Sequence, residues 1–297
     1  MRITPATAGL LTVPPLLWAG NAIVGRLVRE AVPPMALNLL RWTIALAILL
    51  PRGRHLFRQG SGLLTDWRRY AVLGLLGVAL YNSFQYLALQ SSTPINVTLV
   101  AAGMPVWMLL VGGLFFGAPV SRRQIGGAVL SIAGVLVVLC RGQWELLLAM
   151  RLVPGDVFMI LATIAWSFYS WMLTRHQENP SVRADWAAFL LAQVIYGVIW
   201  SASFTGAEWA LTGGSIAWSW PVVGALLYVA IGPAIIAFRC WGAGIARAGP
   251  AAGAFFTNLT PLFAALMSAA ILGEVPHLYH ALAFVLIVSG IVFSSRR

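Results

Sequence analysis

Lysine is absent from this 297-residue chain; all 19 basic residues are arginine. Without lysine there is no Walker-type phosphate loop and no Schiff-base chemistry. Charge of either sign is scarce as well. It makes up 9% of residues, where a soluble domain needs roughly 25% to cover its wet surface. Cysteine is nearly missing: Cys140 and Cys240 fall in different apolar segments. A disulfide needs Cα atoms within about 7 Å, so both are expected to be free thiols. Acid and histidine are missing from the apolar runs. Glu30, Asp66, Glu145, Asp156, Glu178, Asp185, Glu208 and Glu274 lie between the runs or at their ends, as do His55, His176, His277 and His280. Intramembrane hydrolysis would need a His-Glu-x-x-His zinc motif, paired aspartates at depth, or a serine with a base. None is present, so no catalytic residue, no metal and no cofactor is expected.

What is present is apolar: 60% of the chain is hydrophobic. A bilayer core of about 30 Å takes roughly 20 apolar residues per helix. Runs of that kind centre near Trp18, Trp42, Leu80, Val106 and Ile132, then near Ala165, Ile195, Val229, Pro261 and Val285. This predicts an integral membrane protein of ten transmembrane helices. The stretch Thr205–Ser219, with its glycines and tryptophans, is expected at the membrane interface. A net charge of +11 raises the question of nucleic acid. The arginines lie between apolar blocks, however, so anionic lipid headgroups are the expected partner and no nucleic acid is.

The chain also matches itself. Pro94 pairs with Pro250, Pro105 with Pro261, Gly117 with Gly273 and Gly134 with Gly290, all at an offset of 156 residues. Upstream the offset shortens, pairing Trp18 with Trp166. The first apolar run therefore has an internal counterpart and is not read as a signal peptide. Two five-helix halves follow, residues 8–141 and 154–295. Because five is odd, the second half enters the membrane from the opposite side. Inverted halves around a central cavity are a transporter architecture. With the N-terminus in the cytoplasm, 13 arginines fall on inner segments and 4 on outer ones (Arg26, Arg29, Arg141 and Arg151), which places both termini inside.

These residues resemble the drug/metabolite transporter superfamily, in its ten-helix branch of two EamA-type repeats. The resemblance rests on Trp18–Asn21, on Pro34 followed by Arg41, on Pro105, and on the small residues from Gly126 to Gly134. In the second half it rests on Trp166, Pro261 and Gly273–Glu274. The first half departs from the pattern with Gly117–Ala118 where the glutamate would stand, and no arginine in the seventh span matches Arg41. The density of aromatic residues near the centre resembles the bacterial exporters of aromatic and other neutral amino acids. The resemblance implies export of such amino acids across the inner membrane by alternating access. The alternative is another small metabolite or a hydrophobic drug, with proton coupling left open.

Polar and aromatic residues inside the spans are the site candidates. Tyr81, Asn82, Gln85 and Tyr86 are placed on one stripe of the third span, Trp166, Ser167 and Ser170 on the sixth, and Trp18 and Asn21 on the first. Trp18 and Trp166 are expected to face each other. Met104, Trp107, Phe238, Trp241 and Asn258 complete the substrate set. Pro105 and Pro261 are expected to kink their helices, either as bending points or as static bends. Arg41 either reaches a substrate carboxylate or snorkels outward, with the second reading preferred, and Arg239 has the same alternatives. Gly113–Gly117 and Gly249–Gly253 are read as helix-packing spacings. Ion-driven carriers usually hold an acid or histidine at membrane depth. The lack of one predicts a facilitator.

Overall fold

A computed structural model describes residues 3–58, 60–92, 94–143, 145, 148, 153–175, 177–272 and 278–295. Among these residues every regular element is helical and there is no strand. Proline marks many of the helix starts, because its missing N–H falls where no intrahelical acceptor exists. α1 runs Pro5–Val28, α2 Pro34–Gly53, α3 Trp67–Leu73, α4 Tyr81–Ser91, α5 Pro94–Ala102, α6 Met104–Phe116 and α7 Arg122–Leu139. α8 runs Pro154–Met172, α9 Pro180–Ala184, α10 Trp186–Thr212, α11 Trp220–Val229, α12 Ala237–Ala248, α13 Pro250–Thr257, α14 Leu259–Leu272 and α15 Leu278–Ser295. Seven stretches among the described residues are long and apolar enough to cross a bilayer: Pro5–Gly25, Pro34–Phe57, Trp67–Ser91, Arg122–Leu139, Trp186–Thr212, Trp220–Ala248 and Pro250–Met267.

Two of these stretches are not α-helical throughout. Gly74–Leu80 joins α3 to α4 as π-helix, and Ala230–Ile236 joins α11 to α12 in the same way. The two segments stand 156 residues apart at both ends, the offset already found between prolines and glycines. Two further helical stretches are broken. α5 stops at Ala102 and α6 starts at Met104, with Gly103 between them, and Asn258 interrupts α13 and α14 in the same fashion. The proline expectation therefore needs refinement. Each of Pro105 and Pro261 lies in the first turn after a one-residue break in the helix, where a missing N–H costs least.

Helices pair across the chain. α2 packs along α10, α7 along α15, α4 on α8, and α1 on α12 and α14. Backbones approach closely and reciprocally between α7 and α15. A Cβ on Gly127 would stand 2.7 Å from the Gly290 carbonyl oxygen, and a Cβ on Gly290 would stand 2.7 Å from that of Gly127. Gly113–Gly117 does not make such a contact. Gly113 is exposed, and Gly117 ends α6 at φ 66°, a left-handed conformation suited to glycine. Gly249 likewise turns the chain at φ 84°, and only Gly253 of that pair meets neighbours closely.

The stretch Thr205–Ser219 begins in helix and ends in extended chain. Thr205–Thr212 continues α10 to 27 residues, and the helix ends at Gly213, whose φ of 67° is left-handed. Cys140 and Cys240 are free thiols. Gly273–Glu274, His176, His277, Arg151, Arg2, Arg296 and Arg297 lie outside the described residues.

Candidate functional site

A cavity of about 120 Å³ opens where α1, α4, α5, α8, α12, α13 and α14 converge, with Met104 of α6 at its edge. Its aromatic wall is Trp18, Tyr81, Trp166 and Phe238. Trp166 is the hub of this wall. Its ring centroid lies 5.2 Å from Trp18, edge-on at 89°, 5.0 Å from Tyr81 and 5.3 Å from Phe238. Edge-to-face contact sets the positive rim of one ring against the negative face of another, an attraction beyond simple burial. Behind the wall Trp241 lies 5.5 Å from Trp166 and 5.8 Å from Trp18.

The polar lining comes from Asn21, Asn82, Gln85, Asn258 and neighbouring threonines. Asn258 donates from Nδ2 to the Ser131 Oγ at 2.9 Å, while Trp18 donates from Nε1 to the Pro233 carbonyl at 3.3 Å. Trp166 Nε1 is buried without an acceptor among the described residues. The broken helices add backbone polarity. A proline cannot donate to the carbonyl four residues earlier; for Pro105 and Pro261 those carbonyls belong to Ala101 and Thr257. Both residues line the cavity.

Several residues expected at the site stand outside it. Tyr86 packs with Val28, Val32 and Val222, because at 100° per residue it points about 140° away from Tyr81. Trp107 is half-buried and is not among the residues lining the cavity. Ser167 and Ser170 lie in the packed interior. Ser167 Oγ donates to the Thr163 carbonyl at 2.8 Å, and Ser170 Oγ accepts from Trp241 Nε1 at 3.1 Å. Ser170 is one turn further along α8 than Trp166, where Trp241 covers it. Trp241 is fully buried and supports the wall from behind. Of the two prolines, Pro261 lines the cavity and Pro105 does not.

The structure also places a residue that sequence reasoning turned the wrong way. Arg41 is 1% exposed, so it does not snorkel. Its Nη1 donates to Asn82 Oδ1 at 3.1 Å and to Asn21 Oδ1 at 3.5 Å, and its Cζ lies 5.4 Å from the Trp42 ring centroid. The signal that would have found this is its position on α2 between the inward-facing Asn38 and Trp42. Arg239 is exposed and lies over the Trp186 ring at 4.4 Å.

Sequence comparison decides the family. The model of the EamA-like transporter family matches residues 7–140 and again residues 153–296. The chain belongs to the EamA-like transporter family. It is similar to an uncharacterized transporter of Archaeoglobus fulgidus, 27% identical over 97% of this chain and 96% of that protein. It is similar to the aromatic amino acid exporter YddG of Ancylobacter novellus, 28% identical over 93% of this chain and 92% of that one. A probable amino-acid metabolite efflux pump of Salmonella typhimurium is 23% identical over 93% of this chain and 90% of that one. A solved crystal structure aligns with a TM-score of 0.74 over 99% of this chain and 98% of that one, at 24% identity, which speaks for the fold.

As a multi-pass transporter of this family the molecule moves a small-molecule substrate, and among the described residues none that lines its cavity is an acid or a histidine. Asp156 and Glu178, which are buried, and the half-buried Glu208 hold helix ends and connections. Asp156 accepts from Ser92 Oγ and from the Val153 N–H, and Glu208 accepts from the N–H groups of Met35 and Ala36 at 3.2 and 3.3 Å. Glu178 has a fully buried side chain, paired with Arg69 at 2.9 Å and Arg183 at 3.1 Å.

Proposed function

We propose that the protein is an inner-membrane exporter of neutral and aromatic amino acids that works by alternating access. The observation behind this reading is the cavity wall of Trp18, Tyr81, Trp166 and Phe238, interrupted by the polar side chains of Asn21, Asn82, Gln85 and Asn258. Ring faces suit an apolar or aromatic side chain, and amide oxygens suit an ammonium group. The names of the Ancylobacter and Salmonella relatives support the same substrate class.

Size supports movement. An apolar cavity of about 150 Å³ holds one benzene ring. The 120 Å³ here is of that scale, so a whole aromatic amino acid needs the wall to open. Ten transmembrane helices in two inverted halves, residues 8–141 and 154–295, provide a frame for that opening. The equal spacing of the two π segments and the matched helix breaks support this arrangement. So does the pairing of α2 with α10 and of α7 with α15. Both termini are placed in the cytoplasm by the arginine distribution. Among the described residues, the absence of acid and histidine from the lining supports facilitation down the substrate gradient, without an ion.

Radiolabelled phenylalanine uptake into proteoliposomes preloaded with unlabelled phenylalanine, with no ion gradient, tests the reading. Accelerated uptake is expected. Uptake only when a proton or sodium gradient is imposed would refute facilitation, and no uptake under either condition would move the substrate to another small metabolite or a hydrophobic drug.

A further inference from the structure

Arg41 is a full positive charge, 1% exposed, on a helix long and apolar enough to cross a bilayer. A buried charge is costly unless it is paired. Among the described residues no carboxylate pairs with it: the ion pairs join Arg29 to Glu30, His55 to Asp185, and Arg69 and Arg183 to Glu178. The acid on the neighbouring helix α10, Glu208, is committed to the N–H groups at the start of α2. Arg41 Nη1 is met by two neutral amide oxygens, and its Nε has no acceptor. Trp166 Nε1, at the cavity wall, has none either. The surroundings are thus rich in donors and lack a counter-charge.

The geometry fixes which way the amides point. A guanidinium only donates, so Asn21 and Asn82 must turn their oxygens toward Arg41. Each amide that gives up its oxygen in this way keeps its NH₂ group to offer, and both asparagines line the cavity. We infer that Arg41 is a positioning residue that makes this cavity selective for a carboxylate. It orients the NH₂ groups of Asn21 and Asn82 toward the ligand, and the ligand's carboxylate supplies the negative charge that Arg41 otherwise lacks. The ammonium half of the ligand rests on the amino-acid reading above; the carboxylate half stands on the charge balance alone.

Four probes of one ring size separate the two readings: L-phenylalanine, L-phenylalaninamide, 3-phenylpropionate and phenethylamine. Binding of each to the purified full chain is measured by titration calorimetry, for the natural sequence and for Arg41→Lys, Arg41→Met and Asn82→Asp. The natural protein is expected to prefer the two carboxylates at least tenfold over the amide and the amine. Arg41→Lys retains part of that preference, while Arg41→Met and Asn82→Asp bring the ratio close to one. Asn82→Asp places a carboxylate within reach of Arg41, so it is expected to raise the melting temperature while losing selectivity, and it serves as the test if Arg41→Met does not fold.

Equal binding of L-phenylalanine and L-phenylalaninamide by the natural protein overturns the role of Arg41 and leaves the amino-acid reading intact. An unchanged ratio in Asn82→Asp and Arg41→Met does the same. Binding of 3-phenylpropionate but not of phenylalanine overturns the amino-acid reading and leaves Arg41 in place. Binding of none of the four overturns both.

Discussion

Trp166 meets the cavity with one side and the packed interior with the other, and the two roles separate by substitution. Trp166→Ala removes a ring that touches Trp18, Tyr81, Tyr169, Phe238 and Trp241. Removing a buried aromatic side chain of this size costs about 3–5 kcal/mol, so a large fall in melting temperature is expected. Trp166→Phe keeps most of the apolar volume and should melt within a few degrees of the parent. Its phenylalanine counterflow is expected to fall several-fold because the wall is displaced. Equal counterflow in Trp166→Phe and the parent would remove Trp166 from the substrate path.

Cys140 offers a second residue-scale test. It is 2% exposed, and burial pushes its thiol above the ordinary pKa. The thiolate is the species that reacts, so maleimide labelling of the folded protein at pH 7 should be slow. It should rise as pH increases and become fast after unfolding. Rapid labelling of Cys140 in the folded protein at neutral pH would contradict its burial.

At the scale of helices, the amino-acid sequence already showed the apolar runs, the prolines that open helices, and the offset of 156 that the π segments share. The facing of Trp18 and Trp166 was legible too, from one matched pair of tryptophans. Three features were not. A π segment has the same composition as an α segment, so Gly74–Leu80 leaves no mark in a hydrophobic pattern read at 3.6 residues per turn. Arg41 was misread because its partners, Asn21 and Asn82, come from other helices, and no spacing within α2 announces them. The one-residue breaks at Gly103 and Asn258 left no mark either, because a proline forbids one hydrogen bond without saying where the helix is interrupted.

The α7–α15 contact gives the test at this scale. Gly290→Val would push a branched side chain against the Gly127 backbone, and overpacking of this kind costs about 1–3 kcal/mol. A lowered melting temperature is expected, with Gly113→Val as the control, since its surroundings hold only ordinary contacts. Equal losses in both variants would mean that the close crossing of α7 and α15 is not the cause.

Across the whole molecule, residues far apart in the chain are tied by the cluster around Glu178. Arg69 at the start of α3 and Arg183 in α9 both pair with it, and Asp66 accepts from the Asn179 N–H at 2.9 Å. Removing one partner of a buried ion pair costs about 3–5 kcal/mol because the other charge is left uncompensated. For Glu178→Gln the lower end is expected, since the Arg183 side chain is 19% exposed and can rehydrate. Thermal melts at low and high salt would check this. The loss should persist at high salt, whereas removal of the exposed Arg29–Glu30 pair should change little in either condition.

The aromatic cluster has an optical consequence. Trp18, Trp166 and Trp241 hold their indoles 5.2, 5.5 and 5.8 Å apart at unequal fixed angles. Transition dipoles that close couple to one another, and their sign and strength depend on the angles between the rings. The cluster therefore writes its own arrangement into the circular dichroism spectrum. A state in which Trp18 parts from the other two keeps only the Trp166–Trp241 coupling and so changes the spectrum, and the opening of the cavity can be followed by light without a label.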